Sequence, residues 1–198
     1  MTLQNLPKMF YSYSEGWPDL MRMHPSVMRM LTFYVLPMSL IPAAMFVYSI
    51  FVTPGAVFPE VVPAFSGGEA ATLFVAFVAV QLLMVALMAS IIQQMGNVAG
   101  AQPSYHDAFM LAAVAPTPLW LGALVLFIPS MWAAITAMAV AWVGSAALIY
   151  HGVEPLFNLQ GHDRARLMGS FVLAAGVVAW CALMVVLALM MSMIIGLR

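Results

Sequence analysis

One apolar run, residues 108–128, limits the possible folds more than any other stretch of the chain. Its sequence, AFMLAAVAPTPLWLGALVLFI, is long enough to cross a bilayer, which takes about 20 apolar residues. Pro116 and Pro118 interrupt it near the middle, and neither can donate a hydrogen bond to the carbonyl four residues earlier. Backbone groups in hydrocarbon must find partners within the protein. The run therefore predicts a broken membrane helix surrounded by other helices.

The composition favours the same interpretation. The 198 residues are 65% hydrophobic and only 7% charged, whereas about 25% of the residues in a soluble domain are charged. The apolar runs are continuous and lack the alternation of a transmembrane β-barrel. We therefore predict an all-α polytopic membrane protein, a five-transmembrane-helix bundle with an N-terminal interfacial helix.

The apolar runs divide the chain into an N-terminal segment, 1–30, and a five-span membrane domain, 31–198. In the N-terminal segment, basic and apolar residues are interleaved from Pro18 to Met30. This pattern predicts a short helix in the headgroup region, broken at Pro25, with Arg22 and Arg29 as candidate lipid-headgroup contacts. The predicted spans are 31–53, 70–95, 108–128, 131–150 and 167–195.

Orientation follows from the basic residues, because cytoplasmic loops carry an excess of Lys and Arg. Five of the six basic residues fall on the N-terminal side of the predicted membrane, and only Arg198 falls on the other. We therefore expect a cytoplasmic N-terminus and, with an odd number of spans, a C-terminus outside. The five residues are Lys8, Arg22, Arg29, Arg164 and Arg166.

Ionisable side chains inside a membrane are the usual functional candidates, but here they lie at the span ends. His106, Asp107, His151 and Glu154 form a candidate polar rim on the cytoplasmic side. His151 and Glu154 are three residues apart, so they can share a helix face, and imidazole and carboxylate groups bind transition metals. Their spacing matches no tight metal motif, however. We interpret the rim as solvated helix ends and predict no metal and no cofactor.

Catalytic signatures are not visible in the sequence. There is no G-x-S-x-G elbow and no phosphate-binding G-x-x-x-x-G-K-[ST] loop. The aspartates of an intramembrane protease would lie inside the bilayer, whereas these lie near span ends. We predict no catalytic residues and no enzymatic activity, and the net charge of -1 gives no indication of nucleic acid binding.

The helix break itself allows two interpretations. Pro116, Thr117 and Pro118 can line a polar cavity, as unwound helices do in transporters. Alternatively, they form a packed kink that shapes the bundle. We favour the kink, since no charged residue is close in sequence.

Four short motifs stand out along the chain. They are His24-Pro25-Ser26, Tyr105-His106-Asp107-Ala108-Phe109, Ala115-Pro116-Thr117-Pro118-Leu119 and Ile149-Tyr150-His151-Gly152-Val153-Glu154-Pro155. In this order, they are similar to motifs of the bacterial YohC-like branch of the Yip1 family, which consists of small five-span inner-membrane proteins. The resemblance implies a five-span bundle with a cytoplasmic N-terminus in the bacterial inner membrane.

The resemblance implies architecture more than mechanism. Eukaryotic Yip1 proteins bind Rab GTPases and carry an acidic D-L-Y-G-P-type motif, which has no counterpart in this sequence. We predict a non-enzymatic protein that acts through membrane lipids or through other membrane protein subunits, as a subunit or adaptor of a complex, or by self-association. The alternative is a small transporter or channel in which the Pro116-Thr117-Pro118 break lines the path.

Overall fold

The computed structural model describes residues 16–57, 65–159 and 162–196. Lys8, Arg198 and the first half of the predicted N-terminal segment lie outside these ranges. Within them the regular secondary structure is entirely helical, and five helices are long and apolar enough to span a membrane. The predicted all-α fold with five membrane spans is therefore confirmed. The five helices are Val27–Phe51, Gly67–Val98, Tyr105–Phe127, Met131–Phe157 and Asp163–Ile195.

The helices are labelled in chain order. The broken third span is divided into α4 and α5, and a 3₁₀ turn, Ala123–Phe127, follows α5. The end of the bundle that carries α1 is called the α1 end, and the opposite end is called the far end. The helices are α1 (Trp17–Met23), α2 (Val27–Phe51), α3 (Gly67–Val98), α4 (Tyr105–Val114), α5 (Thr117–Gly122), α6 (Met131–Phe157) and α7 (His162–Gly196).

Serine side chains start four of the helices. Each serine oxygen accepts a hydrogen bond from the backbone N–H three residues later, which is the usual N-cap arrangement. At α3 the glutamate three residues on returns the bond and completes a capping box. These caps explain why α3 and α4 each begin three residues before the apolar run that predicts them. The four serines are Ser26, Ser66, Ser104 and Ser130.

The first span widens into a π turn at Leu31–Val35, where the Leu36 N–H bonds the Leu31 carbonyl five residues back. Pro37 follows directly, and proline lacks an N–H and crowds the carbonyl four residues earlier. A wider turn at this point reduces that crowding. The span therefore tolerates Pro37 as a local bulge without breaking.

The five spans form a ring with one helix on its axis. Around the ring, neighbouring helices contact each other in the order α2, α3, α7, α6, α5 and back to α2. Helix α4 lies inside this ring, because every residue from 108 to 115 is less than a tenth exposed. After the break, α5 and its 3₁₀ turn lie on the perimeter, where Leu121, Leu124 and Phe127 are exposed.

Helix α1 is fixed to the bundle mainly through Trp17, and Leu20 joins the same core. Trp17 is fully buried, and it packs against Gly152 of α6. A Cβ at Gly152 would lie 2.6 Å from the Trp17 ring and 3.0 Å from Leu111 of α4. Only glycine at this position leaves room for the indole. The α1 end of the bundle is consequently closed by α1, α4 and α6.

Helix α6 is longer than the predicted fourth span. It continues from residue 150 to Phe157 and ends where Asn158 adopts a left-handed conformation with φ of 47°. Gly152, Val153, Leu156 and Phe157 are buried in this added stretch. Packing against α1 and α4 therefore extends the helix beyond its most apolar part.

Candidate functional site

The Pro116-Thr117-Pro118 break is closed by a chain of hydrogen bonds. The Thr117 hydroxyl donates to the Val114 carbonyl at 2.6 Å, which is the carbonyl that Pro118 cannot serve. The Tyr34 hydroxyl lies 2.6 Å from the same Thr117 oxygen. Since the single Thr117 proton is directed at Val114, Tyr34 must be the donor in this pair. Helix α2 thus stabilises the break in the third span.

A cavity of about 630 Å³ lies beside the break. Ala112 and Ala115 at the end of α4 border it together with Pro116, and it reaches the far end at Val57 and Met131. The cavity lies within the ring because the chain leaves the bundle axis at the break and continues on the perimeter. Thr117 and Pro118 do not line the cavity.

Two polar side chains interrupt the apolar wall of this cavity. Gln81 of α3 is 2% exposed, and its amide nitrogen donates to the Ser39 carbonyl at 3.1 Å. Ser145 of α6 is 3% exposed. Within the described part of the chain, neither the Gln81 Oε1 atom nor the Ser145 hydroxyl has a hydrogen-bond partner. Buried polar groups are nearly always paired, so both atoms require an explanation.

The predicted polar rim lies at the α1 end, away from the cavity. His106 Nε2 lies 2.8 Å from the Pro25 carbonyl and, because a carbonyl can only accept, this nitrogen carries the proton. The His106 and His24 rings are 5.9 Å apart. His106 therefore joins the start of α4 to the turn between α1 and α2.

Asp107 acts at the start of its own helix. Its backbone N–H donates to the Ser104 hydroxyl oxygen at 3.1 Å, and its carboxylate accepts from the same hydroxyl at 2.5 Å. A carboxylate in the first turn also interacts favourably with the helix dipole. These contacts explain why an acidic residue occupies this position, and no ligand is needed to account for it.

The other two rim residues belong to α6. His151 Nδ1 donates to the Ala147 carbonyl of its own helix at 2.7 Å, and Glu154 is half-buried one turn further on. The structure does not gather the rim into a metal site. Among the described residues, no three His, Cys, Asp or Glu side chains lie close enough together to hold a metal ion.

The two candidate headgroup residues lie on the outer side of the α1 end. The Arg22 side chain is 81% exposed and lies 3.8 Å from the Asp19 carboxylate. Arg29 is also exposed, one turn into α2. Exposed Met23 and Met28 lie between the two arginines in sequence. We refer to these four residues, Arg22, Met23, Met28 and Arg29, as the basic edge.

Sequence reasoning passed over three residues that the structure makes prominent. In the sequence, Gln81 is only a polar residue within a predicted span, and Ser145 is one of several small residues. Trp17 is one aromatic residue of the N-terminal segment. A glutamine near the middle of a long apolar helix was the strongest available signal, because an unpaired amide in hydrocarbon is costly. Its partner and its cavity depend on the positions of other helices.

The comparison with protein families gives a match over most of the chain. A family model described as the Yip1 domain matches residues 8–183, which is most of the chain. No curated protein and no solved structure matches the chain.

Proposed function

Because the chain belongs to the Yip1 domain family, we propose that it is a bacterial inner-membrane protein of the YohC-like branch that binds lipid or protein partners and catalyses no reaction. Its N-terminus faces the cytoplasm in this proposal. Family membership and the five apolar helices support an integral membrane protein.

The observation that carries the proposal is the basic edge. Trp17 anchors one side of α1 in the bundle, so the opposite side is held in a defined position. The basic edge combines the guanidinium group of Arg22 on α1 with that of Arg29 on α2, and Met28 of α2 is 69% exposed beside them. Basic groups at a cytoplasmic membrane surface each gain about 1 kcal/mol from anionic lipids, and exposed apolar side chains enter the headgroup boundary. The basic edge therefore suits an anionic headgroup as the first partner.

Charge removal tests this lipid contact. The double variant Arg22→Gln/Arg29→Gln is compared with wild type for the phosphatidylglycerol retained by the intact protein in mild detergent, measured by native mass spectrometry. Losing two contacts of about 1 kcal/mol each predicts roughly thirtyfold weaker retention. The control is Arg164→Gln/Arg166→Gln, which removes the same charge from exposed positions at the start of α7. Equal retention by wild type and the Arg22/Arg29 variant would contradict the proposal.

A protein partner or a second copy of the chain has a different candidate surface. Helix α7 is the least covered of the spans, and Phe171, Val178 and Val185 are exposed along it. Cys181, the single cysteine of the chain, is exposed on the same helix. Mild oxidation in membranes should therefore link two copies if α7 pairs with α7, and Cys181→Ala should abolish the product. If the protein stays monomeric under these conditions, its protein partner is a different membrane subunit. That subunit should then be recovered in stoichiometric amount by gentle-detergent purification.

A second candidate function is transport, which the cavity beside Pro116 favours. In this candidate the break borders the path of a solute or ion, with Asp107, His151 and Glu154 at the cytoplasmic mouth. Liposomes containing the protein should then show flux above empty liposomes, and Glu154→Gln should lower it. Flux equal to that of empty liposomes would remove this candidate.

A further inference from the structure

The hydroxyl groups elsewhere in the spans show what is unusual about Ser145. Serine and threonine hydroxyls in membrane helices commonly bond a carbonyl three or four residues earlier, and seven others among the described residues do so. By contrast, the Ser145 hydroxyl has no such bond, although its residue is 3% exposed and lines the cavity. The seven bonds are Ser39 to Leu36, Ser49 to Phe46, Thr72 to Gly68, Ser90 to Ala86, Thr117 to Val114, Thr136 to Trp132 and Ser170 to Arg166.

One hydrogen bond orients the Gln81 amide and leaves its oxygen atom without a partner. Since the Ser39 carbonyl can only accept, the amide nitrogen must face it, and Oε1 is the atom that remains. This oxygen is a hydrogen-bond acceptor buried in the wall of the apolar cavity, without a donor among the described residues. An unpaired amide oxygen is costly to bury in hydrocarbon. A ligand of the cavity that brings a donor would pair this oxygen.

The rest of the cavity wall defines what that ligand looks like. Among the described residues that line the cavity, none is charged and only Gln81 and Ser145 have an amide or hydroxyl group, while Trp120, Trp142 and Trp180 add indole N–H donors. Its volume of about 630 Å³ lies within the usual range of roughly 300–1,000 Å³ for small-molecule sites. A carboxylate or ammonium group would lack a counter-charge here. A hydrocarbon tail or an ester would leave Gln81 Oε1 without a donor.

We propose that this cavity is a binding site for a neutral, membrane-soluble alcohol: a mainly apolar molecule with one hydroxyl group. The hydroxyl donates to Gln81 Oε1, the Ser145 hydroxyl is the second polar contact, and the apolar body fills the space beside the broken end of α4. The site is independent of the proposed contact between the basic edge and anionic lipid, because it uses different residues.

Photolabelling of the full chain in liposomes tests this site. The probe is a dodecanol analogue that carries a diazirine, and the competitors are unlabelled dodecanol and its methyl ether, which has no donor. Labels should map to cavity-lining residues such as Met84 and Met138. One neutral hydrogen bond is worth about 1 kcal/mol, so dodecanol should compete at concentrations roughly fivefold to tenfold below the ether. Equal competition by the two molecules would overturn the proposal, as would labelling confined to the outer faces of the helices.

Three variants refine the result. Ser145→Ala removes one hydroxyl at nearly constant volume and should reduce the preference for the alcohol severalfold. Ala179→Phe fills the cavity and should abolish labelling by the probe, whatever the polar contacts. Thr136→Val is the matched control, because Thr136 is an exposed hydroxyl on the same helix, bonded to Trp132, and it should leave the preference unchanged. A Ser145→Ala variant with the wild-type preference would remove Ser145 from the site, and labelling of Ala179→Phe at the wild-type level would overturn the cavity assignment.

Discussion

The two halves of the broken third span have nearly the same apolar composition, yet they occupy opposite environments. Residues 108–115, in and just after α4, are buried on every side, and they pack into the large core at the α1 end. After the break, Leu121, Leu124 and Phe127 are exposed on the perimeter. The far end has a much smaller buried cluster of Ala43, Phe77, Val78 and Leu187. The large core thus lies at the α1 end, and the cavity runs from the edge of that core at Ile92 and Ile149 to the far end.

This difference shows what a double proline does in a membrane bundle. Pro116 and Pro118 remove two backbone donors, and the chain changes course where α2 supplies Tyr34 to complete the hydrogen bonds. The change of course moves the second half of the span off the axis. The space beside the break is therefore a product of the kink, so a packed kink and a cavity next to it are compatible.

The largest expected effect comes from removing a side chain from the large core at the α1 end. Phe109→Ala deletes a ring that is 1% exposed in the α1-end core and should lower the free energy of unfolding by about 3–5 kcal/mol. Met138→Ala, at the cavity wall, should cost less than about 2 kcal/mol, because the deleted atoms border existing space and have fewer contacts to lose. Reversible unfolding in lipid–detergent micelles measures both. Equal losses would mean that the two halves are equally well packed.

The Trp17 contact should be broken by one added methyl group. In Gly152→Ala the new Cβ would lie 2.6 Å from the Trp17 ring, so the indole must shift, at a cost of about 1–3 kcal/mol. Trypsin cleavage after exposed Arg22 should become faster as α1 loosens. Gly176→Ala is the matched control, because no atom lies within 4 Å of its added Cβ. If both variants were cleaved at the wild-type rate, the contact between Trp17 and Gly152 would not be needed to hold α1 in place.

A smaller effect is expected at the break. Thr117→Val keeps the shape of the side chain but removes the hydroxyl that joins Tyr34 to the Val114 carbonyl. Hydrogen bonds between membrane helices are worth about 0.6 kcal/mol on average and up to about 1.7 kcal/mol, so a loss of about 1 kcal/mol is expected. Thr136→Val, at an exposed hydroxyl bonded within its own helix, should cost less.

A double-mutant cycle tests the same chain of hydrogen bonds. Tyr34→Phe combined with Thr117→Val should cost less than the sum of the two single changes, because both interrupt one chain. Strict additivity would show that the Tyr34 and Thr117 hydroxyls act independently and that the break is held by packing alone.

Several features of the fold were readable from particular residues. Continuous apolar runs with few charges predict five membrane helices because each must satisfy its own backbone in hydrocarbon. Serines placed before these runs mark helix starts, as Ser66 and Ser104 do. The run 131–150, however, gave no indication that α6 continues to Phe157, since the buried contacts that extend it come from α1 and α4.

The sequence by itself determined that this protein is a helical membrane bundle with a break at Pro116-Thr117-Pro118, because chain length, hydropathy and the missing proline donors are local properties. Only the tertiary structure decided that Trp17 docks on Gly152, that Tyr34 completes the break, and that Gln81 and Ser145 line one cavity. Each of these depends on which helix faces which neighbour. In an apolar environment that choice is made by close packing and hydrogen bonds between distant residues, and no local pattern in the chain encodes them.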